Sequence, residues 1–155
     1  MAERSDVLGE ALYALAAIPL RRRDRSLSLT AAATLATLER TGPRRLTDLA
    51  LNEQVTQPSM TVLVTQLEGR GLAERLPDPA DARVVRVAIT RAGRQHLRAM
   101  RRSGAEVLSG LIDKLDEPDV AALATALPTL RRLLDLAAES QDSQRALTGP
   151  SVDVR

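Results

Sequence analysis

Cysteine is absent from this chain, which removes disulfides, thiolate nucleophiles, Cys-ligated zinc and thiol redox sensing in one step. Histidine occurs once, as His96, with no second imidazole or thiol to complete a metal site or a nucleophile pair, so it reads as a helix-surface residue. There is no glycine-rich phosphate loop and no cluster of metal ligands, so no catalytic residue, metal site or cofactor is expected, and the chain does not read as an enzyme. Long apolar runs are missing too. The stretch "VLGEALYALAAIPL" is interrupted by Glu10 and followed, not preceded, by the basic Arg21 to Arg23, which fits neither a signal peptide nor a membrane span. A cytoplasmic protein without membrane contact is the expectation.

What is present is arginine, unevenly placed. The net charge is only +2, yet from Glu39 to Arg102 twelve arginines face seven acidic side chains, whereas from Ser103 to Arg155 nine acidic residues face five basic ones. The positive charge sits in the middle of the chain, and Lys114 is the sole lysine. The planar guanidinium fork suits phosphate oxygens and base edges. A chain of 155 residues is long enough to bury a core as one domain, alone or with an extension.

Periodicity divides the chain into helices around one β-hairpin. Residues 6 to 20 read as a helix on Val7, Leu8, Ala11, Leu12, Leu15 and Ile18, bent or ended by Pro19. Thr30 reads as the N-cap of a second helix, stopped by Gly42 and Pro43. A third, short helix fits "LTDLALNEQ", with Thr47 as N-cap and Leu49, Ala50 and Leu51 turned inward. A fourth starts at an N-cap Thr56 with Pro58 in its first turn and ends at Gly69 or Gly71. The period then changes to two, giving strands Leu72 to Leu76 and Val84 to Thr90 around the turn-rich "PDPADAR". Thr90 caps a long helix carrying Leu97, Met100, Val107, Leu108, Leu111 and Leu115. Asp116 caps a last one, through Leu134, with a kink expected at Pro128. Beyond Glu139 the chain is poor in apolar residues and reads as mobile.

The fourth helix has an unusual surface. Met60, Leu63, Val64 and Leu67 make one apolar stripe, the expected core side, each contributing about 1.5–3 kcal/mol if fully buried. Its other face carries Gln57, Ser59, Thr61, Val62, Thr65 and Gln66, polar for the most part but without charge. Two short helices, a turn, a helix and a hairpin are the order of a winged helix-turn-helix, whose second helix lies in the DNA major groove while the wing follows the flanking backbone or minor groove. The uncharged face then meets base edges, and Val62 can lie against a thymine methyl.

From Leu46 to Leu97 the segments "LTDLA", "VTQPSMTVLVTQLEGRGL", "PDPADARVVRVAIT" and "RAGRQHL" occur in the order and at the separations by which the chain resembles the MarR-type (multiple antibiotic resistance regulator) transcriptional regulators. The fold class is accordingly mostly α with a small β-hairpin. A winged helix-turn-helix over 30–96 is set between an N-terminal dimerisation helix, 1–29, and C-terminal dimerisation helices, 97–139, with a disordered tail at 140–155. The resemblance implies a homodimeric repressor on double-stranded DNA, its operator a pseudo-palindrome, released by a small aromatic or phenolic effector. The effector would bind where the first helix, the helix from Thr30 and the long helix after Thr90 approach the winged domain. It assigns base contacts to Gln57, Ser59, Thr61 and Thr65, and Thr56 and Val62 of the same segment join them as DNA-binding candidates. The wing tip falls on Asp81 and Arg83, the Asp holding the Arg guanidinium as it probes the minor groove. Phosphate contacts go to Arg83, Arg86, Arg44 and Arg45, with Arg70 and Arg75 as neighbours.

Two departures from the family pattern bear on this reading. Many members carry a basic residue in place of Val62 and another in place of Gln66, and Tyr13 is the only aromatic side chain available to line an effector pocket. An uncharged face would also suit a winged-helix module that binds another protein without specific DNA binding, the alternative reading of the same residues. The arginine-bearing wing favours DNA.

Overall fold

The computed structural model describes residues 2–22, 27–81 and 83–147. The elements are α1 (Ala2–Arg22), α2 (Leu29–Thr41), β1 (Arg44–Arg45), α3 (Leu46–Asn52), α4 (Gln57–Gly69), β2 (Ala73–Pro77), β3 (Val85–Ile89), α5 (Arg91–Ile112) and α6 (Glu117–Leu147). Two compact units divide the chain, Met1–Gly110 and Leu111–Arg155. The architecture is mostly helical with a small antiparallel sheet of three strands, in the order β1-β3-β2.

In the first unit, buried Leu35, Leu38, Leu49, Met60, Val64, Leu67 and Val87 form the centre of the core, drawn from α2, α3, α4 and β3. Three of the four residues expected on the inner stripe of α4 are fully buried. The fourth, Leu63, is half-buried at the edge of the same cluster. Helix α2 begins earlier than expected, because Ser28 and not Thr30 caps it: Ser28 Oγ accepts from the Ala31 N–H at 3.1 Å. Buried Leu27 immediately before the cap anchors the entering chain, as a hydrophobic residue at that position commonly does.

The strand β1 has no periodic signal and was not expected. Arg44 pairs with Val87 and Arg45 with Arg86, so α3 starts directly from a strand. Arg45 sits at its N-cap position with extended backbone and no side-chain cap, which corrects the expected role of Thr47. Leu51 is 63% exposed, not turned inward; the helix is only seven residues long and presents one face, through Leu49 and Ala50, to the core. The turn into α4 places Gln54 in left-handed backbone, φ 53°, a conformation uncommon outside glycine. It is tied down from both sides. The Val55 N–H donates to the Ala50 carbonyl at 3.0 Å, and Asn52 Nδ2 and Thr37 Oγ1 donate to Glu53 Oε1 at 2.9 and 3.1 Å, fastening the end of α3 to α2.

The hairpin pairs Ala73 with Ile89 through Pro77 with Val85. Thr90 then caps α5 as expected, accepting from the Gly93 N–H at 3.0 Å. At Gly93 the first turn of α5 passes the chain entering β2 so closely that a Cβ would lie 2.1 Å from the Leu72 carbonyl oxygen. His96 is half-buried, and its Nε2 finds no hydrogen-bond partner among the described residues. Pro19 lies inside α1, which runs on to Arg22; Arg23 and the side chain of Arg22 lie outside the described residues.

In the second unit, Asp116 Oδ1 accepts from the Asp119 N–H at 3.0 Å, the expected cap of α6. The helix passes through Pro128 and continues to Leu147, beyond the Glu139 at which it was expected to stop. The segment after Glu139 has no glycine or proline before Gly149, and Gln141, Gln144, Arg145, Ala146 and Leu147 are good helix formers that let the turns continue. Residues 148–155 of the expected tail lie outside the described residues.

Candidate nucleic-acid interface

Helix α4 is held to the core by one face, and that fixes what the other can present. Thr56 forms the expected N-cap: its Oγ1 accepts from the Ser59 N–H at 3.3 Å and lies 2.8 Å from Ser59 Oγ. Gln57, Ser59, Thr61, Val62, Thr65 and Gln66 are all exposed, and no charged side chain stands among them. The row is less rich in donors than its residue types suggest. Thr61 Oγ1 donates to the Gln57 carbonyl and Thr65 Oγ1 to the Thr61 carbonyl, each at 2.9 Å. A threonine in a helix can return its hydroxyl to the preceding turn in this way.

The wing tip is built around its carboxylates. Asp81 Oδ1 accepts from the backbone N–H of Arg83 at 2.9 Å. Its carbonyl accepts from the Val84 N–H at 2.9 Å, while the Asp78 N–H donates to the Val84 carbonyl at 2.8 Å. The carboxylate of Asp81 therefore holds the backbone of Arg83 and not its guanidinium, which corrects the expected pairing: an Asx-type turn offers the oxygen a nearer donor two residues on. Arg83 is exposed, and among the described residues its guanidinium has no acidic partner. Ala82, between the two, lies outside the described residues.

Asp78 is the residue that sequence reasoning passed over. Its side chain is fully buried, and its Oδ2 accepts from Arg86 Nε at 2.7 Å and from Arg45 NH2 at 3.5 Å. The Ala80 N–H donates to its other oxygen at 2.9 Å. The Ala80 N–H and the Arg86 guanidinium hold this carboxyl below its ordinary range, against the opposing effect of burial, with the charges of Arg86 and Arg45 adding to the shift. "PDPADAR" reads as a turn, and an aspartate in a turn is expected at the surface. Only pairing of β1 with β3 brings a second arginine, Arg45, to it.

The expected arginines thus differ in availability. Arg86 is tied to Asp78, Arg45 shares the same carboxylate more loosely with half its side chain exposed, and Arg44 is exposed with its Nε donating to Thr41 Oγ1 at 3.0 Å. Arg75 turns back from β2 to pair with Glu68 on α4. A shallow cleft of about 320 Å³ lies between the start of α2 and α4, with Leu27, Ala31, Leu63 and Leu67 as its apolar lining. It includes no residue of α1 or α5, the helices expected to enclose an effector. Among the described residues there is no helix long and apolar enough to cross a membrane.

The MarR family model matches residues 27–85, from the entry into α2 to the start of β3. An HTH-type transcriptional regulator of Mycobacterium bovis is 32% identical over 109 residues, which cover 70% of this chain and 76% of that protein. The chain belongs to the MarR family. As a MarR-family winged helix-turn-helix protein it is a DNA-binding regulator of transcription. Its fold is similar to that of the transcriptional regulator Tm0710 of Thermotoga maritima, at 22% identity and a TM-score of 0.74, covering 90% of this chain and 99% of that one. A mutant of MepR from Staphylococcus aureus, bound to an oligodeoxyribonucleotide, is similar with a TM-score of 0.60 at 20% identity, covering 86% and 96% of the two chains. MepR bound to ethidium bromide gives a TM-score of 0.54 at the same identity, over 84% of this chain and 95% of that one.

Proposed function

We propose that this MarR-family protein is a homodimeric, ligand-responsive repressor that reads a pseudo-palindromic operator with α4 and grips the flanking backbone with the wing. The observation that carries the reading is the uncharged, exposed row from Gln57 to Gln66, fixed to the core by Met60, Val64 and Leu67 and accompanied by Arg83, which has no acidic partner among the described residues. Base contacts fall to Thr56, Gln57, Ser59, Thr61, Val62 and Thr65, and backbone or minor-groove contacts to Arg83, Arg44 and Arg45. The exposed leucines Leu8, Leu12 and Leu15 on α1, and Leu123, Leu127 and Leu134 on α6, support a second copy as the cover for each helix. The cleft beside α4 is where a small apolar or aromatic effector would reach the reading helix, and MepR, similar in fold, is a protein whose structure holds ethidium bromide. Such a protein works in the cytoplasm, on the DNA.

The test is a gel shift on genomic fragments, with the solution mass measured in parallel. A retarded, sequence-dependent complex at a dimer's mass is expected. Sequence-independent binding at every salt concentration, or none, together with capture of a protein partner through α4, would replace this reading with that of a protein-interaction module. Because the chain has no thiol, mild peroxide should leave the complex intact.

A further inference from the structure

Membership of a DNA-binding family leaves open which bases α4 can read, and its side chains narrow the choice. From Gln57 to Gly69 the helix has no arginine and no lysine. The commonest specific contact in the major groove, the bidentate grip on guanine O6 and N7, is made by those two residues. Gln57, exposed in the first turn, carries an amide of the kind that matches N6 and N7 of adenine.

The threonines complete the restriction. A hydroxyl has one proton to give. In Thr61 and Thr65 that proton goes to the helix's own carbonyls at 2.9 Å, and Thr65 Oγ1 also accepts from Arg75 NH2 at 3.4 Å. Each has no proton left to give a base, and offers it a methyl and an acceptor oxygen, the latter shared with Arg75 in Thr65. Gln57, Thr61 and Thr65 follow one another at four-residue spacing along the helix, and Val62, 59% exposed, lies three residues before Thr65 on the same side. The outward surface of α4 carries the Gln57 amide and a strip of methyl groups from Thr61, Val62 and Thr65, with the exposed Ser59 and Gln66 at its margin, Gln66 also lining the cleft. In the major groove the base that displays a methyl is thymine, at C5.

We propose that α4 selects its half-site by the C5-methyl groups of thymine, with Gln57 reading an adenine, so that the base pairs beneath the helix are A·T and no guanine is read there. The inference rests on α4 being the helix that enters the groove. Arg83 and the other arginines then supply charge without altering the preference under α4.

The experiment is a selection of random-sequence duplexes by the full-length protein. The enriched duplex is then remade with deoxyuridine in place of thymidine and, separately, with a guanine analogue lacking N7. A·T pairs should be enriched in each half-site, deoxyuridine should weaken binding by about fourfold for each methyl that packs against the helix, and the guanine analogue should change nothing within the half-site core. Two variants separate methyl from hydroxyl: Thr61→Ser, which loses the methyl, should bind about fourfold more weakly than Thr61→Val, which keeps it. A half-site core containing guanine, sensitive to loss of N7 and indifferent to deoxyuridine, would overturn the proposal, as would the reverse ranking of the two threonine variants. If no sequence is enriched at all, the reading of α4 as the DNA-reading helix fails, and this proposal fails with it.

Discussion

At the scale of single residues, the side chains assigned to DNA are held by different means and should fail differently. Thr56 is both a cap and a candidate base contact. Its replacement by Ala removes the acceptor for the Ser59 N–H and should cost about 1 kcal/mol of stability, seen as a lower urea midpoint even without DNA. Arg83→Ala removes no ion pair among the described residues and should leave that midpoint unchanged. If Arg83 neutralises one phosphate in each subunit, the variant should flatten the log-affinity against log-salt slope by about one unit per lost contact. Gln57→Ala should do the opposite, relaxing base preference by roughly 1–3 kcal/mol at one position with the slope intact. A salt titration of both variants on selected and scrambled duplexes checks the division. A flattened slope for Gln57→Ala with an unchanged one for Arg83→Ala would reverse it.

Between elements, two contacts set where the wing stands. One is the passage of α5 beside the chain entering β2 and the end of β3, where Gly93 lies against the Leu72 carbonyl and the Ile89 side chain, which a Cβ would approach to 2.1 and 2.7 Å. A backbone oxygen cannot swing aside, so Gly93→Ala should destabilise by about 1–3 kcal/mol or more through forced shifts, measured by denaturant unfolding. The other is Asp78, joining β1 to the wing through Arg45 and Arg86. Its folded carboxyl titrates below the ordinary value of 3.8. The stability it contributes is therefore full above that ordinary value and lost as pH falls through the lower, folded one. Thermal unfolding of the unaltered protein should be insensitive to this group between neutrality and about pH 5. Asp78→Asn should be less stable at neutral pH, and the difference between the two proteins should shrink as the pH falls below the ordinary carboxylate range. A gap that stays constant down to strong acid would mean that the ion pairs are not what holds the wing.

For the whole molecule, the exposed apolar rows of α1 and α6 must find cover or cost solubility. The proposed cover is a second copy. Val7 and Leu8 are about three-fifths exposed, so a charge placed there leaves the core of the first unit untouched. Leu8→Glu should weaken the dimer by tenfold or more, since an unpaired charge in an apolar interface costs at least about 2 kcal/mol. Sedimentation equilibrium checks this directly. An unchanged dimer mass would remove α1 from the interface, and a monomer for the unaltered protein would end the two-fold reading of the operator.

The helices of the winged domain were legible in the sequence because their signals are local. The apolar spacing from Met60 to Leu67, the caps Thr56, Thr90 and Asp116, and the change of period after Gly71 depend on neighbours within a few residues. The uncharged face of α4 was legible for the same reason. What could not be read is what the chain brings together from a distance. A two-residue strand at Arg44 and Arg45 has no period of its own and exists because β3 offers a free edge. Once it pairs there, Arg45, more than thirty residues from Asp78, joins Arg86 of the hairpin at that carboxylate, a buried counter-ion in place of a solvated turn residue. Asp81 and Arg83 were found at their places, but the donor that the carboxylate takes was decided by the turn's backbone. Residue type alone assigns Thr61 and Thr65 to base contacts; the helix's own carbonyls take their hydroxyl protons. Residue type and spacing determined which surface faces outward, and tertiary structure decided which of its polar groups remain free, because a hydrogen bond or an ion pair made within the protein is no longer available to a partner.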